Sequence, residues 1–333
     1  MVIASPRTLS LLCALAALLL LGAGDLGHAA PKRLASDQPE LDLYPDSTGP
    51  GKTAAMEADL YMPTSTEMAK VVLFVPAGYG GIVGLAVGTD VGLALAWDPN
   101  FLVILGRIAV AYPPAYTTNT CAPGLHQAVW QLRFQGQLPP TPILIDATAG
   151  TDTSPGGFKA QFCLPPSSSG TMKVHELDFL IAKLTNPAAK GAYKWRAFVT
   201  PYKAGAPDDP STFELRGTIP MPMRLTLHGV YDRKHMRAIL TGQLTAAGLS
   251  VGGTYLDLYT KRAGDFHYSA TTRVNRSGRF RIVRRIKKTT RFRVGTATSY
   301  DCGRPGSPAP AGCISDILAN IYSSVAKVRV RKR

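Results

Sequence analysis

The sequence predicts an all-β protein built from two β-sandwich domains. Three observations carry that expectation. Short apolar runs alternate with polar residues at a period of two, as in Tyr193-Lys194-Trp195-Arg196-Ala197-Phe198-Val199, the pattern of a strand with one buried face. The 26 Pro and 32 Gly among 333 residues punctuate these runs and interrupt any helical reading of them. No long helical segment separates the runs, and strands that follow one another without helices belong to sandwiches or barrels. A hydrophobic share of 45% is enough for a buried core and rules out wholesale disorder, while a charged share of 18% disfavours a coiled coil.

Residues 1–29 read as a secretory signal peptide. Arg7 supplies the positive start, Leu9 to Ala23 an apolar stretch too short for a spanning helix, and Gly27 and Ala29 the small residues before the cut. No later stretch approaches spanning length, so the expectation is a secreted or extracellular protein, with cell-wall association as a further possibility. Cys13 leaves with the peptide. Cys121, Cys163, Cys302 and Cys313 remain, and an even count in an exported chain points to disulfides. Four cysteines permit three pairings. Proximity favours Cys121–Cys163 and Cys302–Cys313. A zinc site is disfavoured because no C-x-x-C and no nearby His pair is present.

Residues 30–53 are rich in Pro, Asp, Ser and Gly and read as a linker. A first β-sandwich domain is expected over 54–222, from the runs Lys70 to Pro76, Phe101 to Ala111, Ala128 to Phe134, Pro142 to Ile145, Phe158 to Leu164, Lys173 to Leu184, Tyr193 to Tyr202 and Thr212 to Ile219. A second is expected over 223–333. Its runs are Arg224 to Tyr231, Arg237 to Leu244, Tyr255 to Thr260, His267 to Val274, Arg279 to Ile286, Thr290 to Thr296 and Val325 to Val330. Seven strands is the number of a small immunoglobulin-like sandwich. Asn275-Arg276-Ser277-Gly278 supplies a turn, and also a formal glycosylation sequon. One modest helix is expected at Ile314 to Ser323.

The stretches Ile239 to Leu244, Gly252 to Tyr259, Arg273 to Phe280 and Thr289 to Val294 resemble the corresponding strands of bacterial immunoglobulin-like surface modules. Those modules often carry a "G-x-L" strand, an "x-D-x-x-G-x-F" turn and a closing "T-T-x-Y-R-V" strand. Here Asn275 stands where an acid is frequent and Phe292 where Tyr is. The resemblance spans about residues 224–333. The chain after the signal peptide is also similar to exported actinobacterial proteins with a β-rich first domain, through Val75 to Tyr79, Cys121 to Gly124, Ala128 to Trp130, Cys163 to Pro166 and Tyr193 to Tyr202. These resemblances imply a fold and a surface setting, but no activity and no site. The order Cys121, Trp130, Cys163 offers only an analogy to a disulfide packed near a buried Trp.

Motifs that imitate catalytic sites sit in the wrong context. Gly248-Leu249-Ser250-Val251-Gly252 matches a nucleophile elbow, but no helix is expected after it. Gly49-Pro50-Gly51-Lys52-Thr53 ends like a phosphate loop, yet Asp46 stands where that motif needs Gly. Gly78-Tyr79-Gly80-Gly81 reads as a turn between strands. His126, His175, His228, His235 and His267 show no metal-ligand spacing. The expectation is a protein that is not an enzyme and carries no cofactor and no metal.

Charge is uneven. From Arg224 onward there are 22 Lys and Arg against 5 acids, while the rest of the chain has 15 against 17. On strands, Arg279 and Arg281 share one face opposite Phe280 and Ile282, and Arg291 and Arg293 stand opposite Phe292 and Val294. Strand pairing is expected to build an arginine ladder with Arg284 and Arg285 beside it. The leading expectation is a structural or interaction role in the envelope or outside the cell, with a surface protein as one kind of partner. The alternative is binding of an anionic envelope polymer or polysaccharide through Arg279, Arg281, Arg284, Arg285, Arg291 and Arg293. Nucleic acid is not expected as a partner, because the chain is exported and no nucleic-acid motif occurs.

Overall fold

The computed structural model describes residues 39–100, 102–136, 138–151, 154–296 and 316–330. Residues 1–29, read as a signal peptide, and Cys302, Cys313 and Arg331 to Arg333 lie outside the described residues. Twelve strands come first: β1 (Glu40–Pro45), β2 (Thr53–Tyr61), β3 (Met68–Pro76), β4 (Asp90–Trp97), β5 (Val103–Ala111), β6 (Ala128–Phe134), β7 (Thr141–Thr151), β8 (Ser154–Cys163), β9 (Glu176–Thr185), β10 (Gly191–Lys203), β11 (Ala206–Pro207) and β12 (Phe213–Met221). Nine follow: β13 (Met223–Leu225), β14 (His228–Asp232), β15 (Arg237–Ala246), β16 (Tyr255–Arg262), β17 (Asp265–Arg273), β18 (Arg279–Arg285), β19 (Thr290–Thr296), β20 (Asp316–Leu318) and β21 (Ala326–Val328). The protein is all-β. Among the described residues no helix is long and apolar enough to cross a membrane.

The first unit is one continuous sheet, in the order β1-β2-β9-β4-β5-β6-β7-β8-β3-β10-β12-β20, with β11 paired to β10. Period-two alternation turns one side inward. Met56 and Leu60 of β2, Ile108 of β5, Leu132 of β6, Phe162 of β8, Leu177 of β9 and Ala197 and Val199 of β10 meet in a single core. Burying that apolar surface is what curls the sheet over itself. The curl brings the ends together. The Asn320 N–H donates to the Leu43 carbonyl at 2.7 Å, and a Cβ on Gly217 of β12 would stand 2.7 Å from Leu43 Cδ1. A side chain at position 217 would push Leu43 aside where β1 approaches β12. The Cys121–Cys163 disulfide forms across 42 residues and ties the loop after β5 to the end of β8.

The second unit is a two-layer sandwich. β13 and β14 run along β15 in one register, Leu225 opposite Leu244 and His228 opposite Thr241, so they act as one interrupted strand. β18 flanks β15 on its other side. The second layer has the order β17-β16-β19-β21. Counting β13 and β14 together, strands one, two and five face strands four, three, six and seven. That is an immunoglobulin-like arrangement, with the fourth strand paired to the third. Leu240, Leu244, Leu256, Leu258, Phe280, Phe292 and Val294 fill the space between the layers.

The two cores meet at one end of the second unit. Met221 is buried in the first core and Met223 in the second. Thr48 locks this junction, accepting from the Met223 N–H at 3.0 Å and donating to the Met223 carbonyl at 2.7 Å. The Ala247 N–H donates to the Pro222 carbonyl at 3.0 Å.

The structure overturns two of the expected elements. Residues 40–45, read as linker, form strand β1, in which Leu41 and Leu43 are fully buried. The run Ile314 to Ser323 is not helical where it is described. Asp316–Leu318 instead pairs in parallel with Arg216 to Thr218 of β12. Leu318 enters the second core and Ala319 the first, so the segment threads between the two.

Candidate interaction surface

The six arginines expected to form a ladder do not share a face. β18 pairs with β15 in one layer, while β19 pairs with β16 and β21 in the other. Arg279, Arg281 and Arg285 alternate with Phe280 and Ile282 and project from the outer side of the first layer. Arg284 falls on the inward side of β18. Its Nη2 donates to the Ser269 carbonyl of β17 at 2.7 Å, which clasps the two layers at their rim. Arg291 and Arg293 lie on the outer side of the second layer. Arg291 is exposed opposite Lys327. Arg293 is stacked, with its guanidinium carbon 4.3 Å from the ring centre of Tyr322 and 4.7 Å from that of Phe266. Two of the six are therefore engaged inside the fold, and four stand on two different surfaces.

A different set comes together. The turn from β14 to β15 carries Arg233 and Lys234. The hairpin from β16 to β17 carries Lys261 and Arg262. The connection from β18 to β19 carries Lys287 and Lys288, with Arg285 and Arg291 on either side. All eight are exposed. Pairing places these connections at one end of the sandwich: Arg237 lies opposite Arg285, Thr260 opposite Phe292, and Thr290 opposite Val328. The Ile286 N–H donates to the Met236 carbonyl at 3.1 Å, which joins two of the turns directly. This end lies opposite the junction with the first unit, where β15 and β19 finish against Pro222 and Ala319.

Local chemistry keeps the tip positive. Asp232 is one of its two described acids, with Asp265, and it is already engaged. Its carboxylate accepts from His235 Nδ1 at 2.8 Å and from Arg237 Nε at 2.9 Å. The His235 hydrogen bond, then that of Arg237, push its pKa down to about 2. Asp265 is exposed at the start of β17. The sequence reading missed Arg233, Lys234, Lys261 and Arg262 because charge density along the chain peaks elsewhere. Their signal was positional: each lies in a turn between two expected strands, and alternate turns of a sandwich share an end.

The motifs that imitate catalytic sites are turns. Ser250 sits in the connection from β15 to β16, and Gly248 has φ +75°, packed against Gly191 and Ala192 of the first unit. Gly51 and Lys52 form the turn from β1 to β2, and their N–H groups donate to Pro187 and Gly49 carbonyls. Tyr79 is buried and accepts from Trp195 Nε1 at 3.3 Å, while the Gly80 N–H donates to the Thr185 carbonyl. His126 reaches Asp146 at 3.1 Å and the Ala122 carbonyl at 3.0 Å beside the disulfide loop, and His175 reaches the Trp97 carbonyl at 2.9 Å. Among the described residues no group of three His, Cys, Asp or Glu is placed to hold a metal ion.

No protein-family model matches the chain, and no curated protein matches it. Solved structures give distant likenesses. The D0-D1 domain of intimin aligns over 87% of this chain and 98% of its own, at 8% identity and a TM-score of 0.22. Domains D2 and D3 of the major pilin SpaD from Corynebacterium diphtheriae align over 88% of this chain and 99% of their own, at 8% identity and a TM-score of 0.27. A tetra-tandem repeat from the extending region of a large adhesion protein aligns over 87% of this chain and 74% of its own, at 11% identity and a TM-score of 0.20. At these scores the likeness carries no argument, and the functional reading rests on the surface of the chain itself.

Proposed function

We propose that this is an exported, non-enzymatic interaction protein whose second unit contacts an anionic polymer of the cell envelope through its basic tip. The observation that carries this reading is the convergence of three connections, bearing Arg233, Lys234, Lys261, Arg262, Lys287 and Lys288, at the end away from the junction. Cations collected from separate turns create a field that no single strand provides, and such a field attracts and concentrates a polyanion. The first unit, with its near-balanced charge, holds the tip out by a junction that both cores and Thr48 share. The leader-like start of the sequence supports an extracellular setting. Arg279 and Arg281 extend the positive surface down the outer side of β18.

The test uses the whole chain after the signal peptide and purified anionic wall polymer, with dextran as neutral control, across a salt series. Binding that weakens steeply between low and physiological salt, and is lost in Lys287→Glu/Lys288→Glu, supports the reading. Absence of binding at low salt leaves the positive charge as a solubility feature and the chain as a structural spacer.

A further inference from the structure

The first unit carries a groove of about 470 Å3 on the outer side of β5 and β6, far along the chain from the basic tip. We infer that this groove takes one uronate-type unit of an acidic oligosaccharide. Its floor is flat because the outward positions are small: Ala109 and Ala111 on β5, with Gly88 beside them. The inward neighbours Ile108 and Leu132 are fully buried, so the floor is backed by packed core. Tyr112 and Tyr116 form one wall from the short 3-10 turn that follows β5, and Tyr112 is 62% exposed. A pyranose ring has an apolar face that lies on such a surface, and hydroxyls that the tyrosine O–H and the Gln131 amide can meet.

The charged wall selects for acid. Arg107 and Arg133 stand directly opposite each other on paired strands. Arg107 is neutralised by a two-pronged pairing with Asp90. Arg133 is held differently: its Nε donates to Gln131 Oε1 at 2.6 Å, and it lines the groove with no described partner on its two terminal nitrogens. Among the described residues Arg133 makes no ion pair. Such a fork fits a carboxylate with two parallel hydrogen bonds. A phosphate would engage Arg133 but leave the tyrosine wall and alanine floor unused. A uronate uses all three.

Calorimetric titration of the whole chain after the signal peptide with tri-galacturonate tests this, with galactotriose as neutral counterpart. Saturable binding at ligand concentrations up to about 1 mM is expected, at least roughly tenfold tighter than for galactotriose. Arg133→Gln and Tyr112→Ala should each weaken it by about tenfold or more, and Arg133→Lys should restore only part of it. Both side chains are exposed, and an unchanged thermal melt reports that each variant folds. At physiological salt, where attraction of so short an anion to the exposed tip is screened, Lys287→Glu/Lys288→Glu should leave this binding unchanged. The inference is overturned by absence of saturable binding, by equal affinity for the neutral sugar, by insensitivity to both groove variants, or by loss of binding in the tip variant.

Discussion

Arg293 and Arg281 have the same sequence context, an arginine between two core residues on a strand, and different roles. Arg293 lies between the Tyr322 and Phe266 rings, and Arg281 is exposed. Cation–π contacts with a partly desolvated guanidinium contribute about 1–2 kcal/mol, and the covered stem adds packing. Arg293→Ala should therefore lower unfolding stability by about 1–2 kcal/mol, while Arg281→Ala should change it by less than about 0.5 kcal/mol, as read by urea titration. His175 offers a second test at this scale. Burial drives its pKa down, against an opposing backbone hydrogen bond to Trp97. The unfolded chain takes up a proton near pH 6.5 while the folded chain resists it, so stability falls as pH drops below about 6.5. His175→Gln should flatten that slope between pH 7 and 5 in thermal melts.

At the scale of elements, all seven strands expected in the second unit form, most of them placing apolar residues on one parity and polar residues on the other, whereas β20 was not foreseen. β6 coincides with its run. β1 was hidden because Glu40 and Asp42 are buried along with Leu41 and Leu43, so composition resembles a loop. β4 was hidden by its Gly and Ala content. The helix expected at Ile314 to Ser323 arose from apolar residues at 314, 317, 318 and 321, a helical spacing. In the fold, Leu318 and Ile321 serve the second core while Ala319 between them serves the first. Two consequences follow for stability. Leu43→Ala should cost about 2–5 kcal/mol, since it empties a fully buried site where β1 crosses Gly217. Replacing Cys121 and Cys163 by Ala should cost about 2–4 kcal/mol, from release of a 42-residue loop in the unfolded chain.

At the scale of the whole molecule, an acid-balanced first unit and a strongly basic second unit are joined end to end by Thr48, Pro222 and the strand β20. The sequence revealed that the second unit is basic. It did not reveal where the charge gathers, because that depends on which turns share an end and which arginines are spent on Ser269, Phe266 and Tyr322. Exposed charge far from the junction is the arrangement expected of a surface presented to a large polymer, since a long chain can cross the tip without meeting the first unit. The direct measurement is the salt dependence of binding to purified anionic wall polymer, comparing the native chain with Lys287→Glu/Lys288→Glu and with Arg279→Glu. Steep salt dependence, loss in the tip variant and a small change at Arg279 are expected. Binding that survives reversal at the tip, or that Arg279→Glu alone abolishes, would contradict binding through the tip.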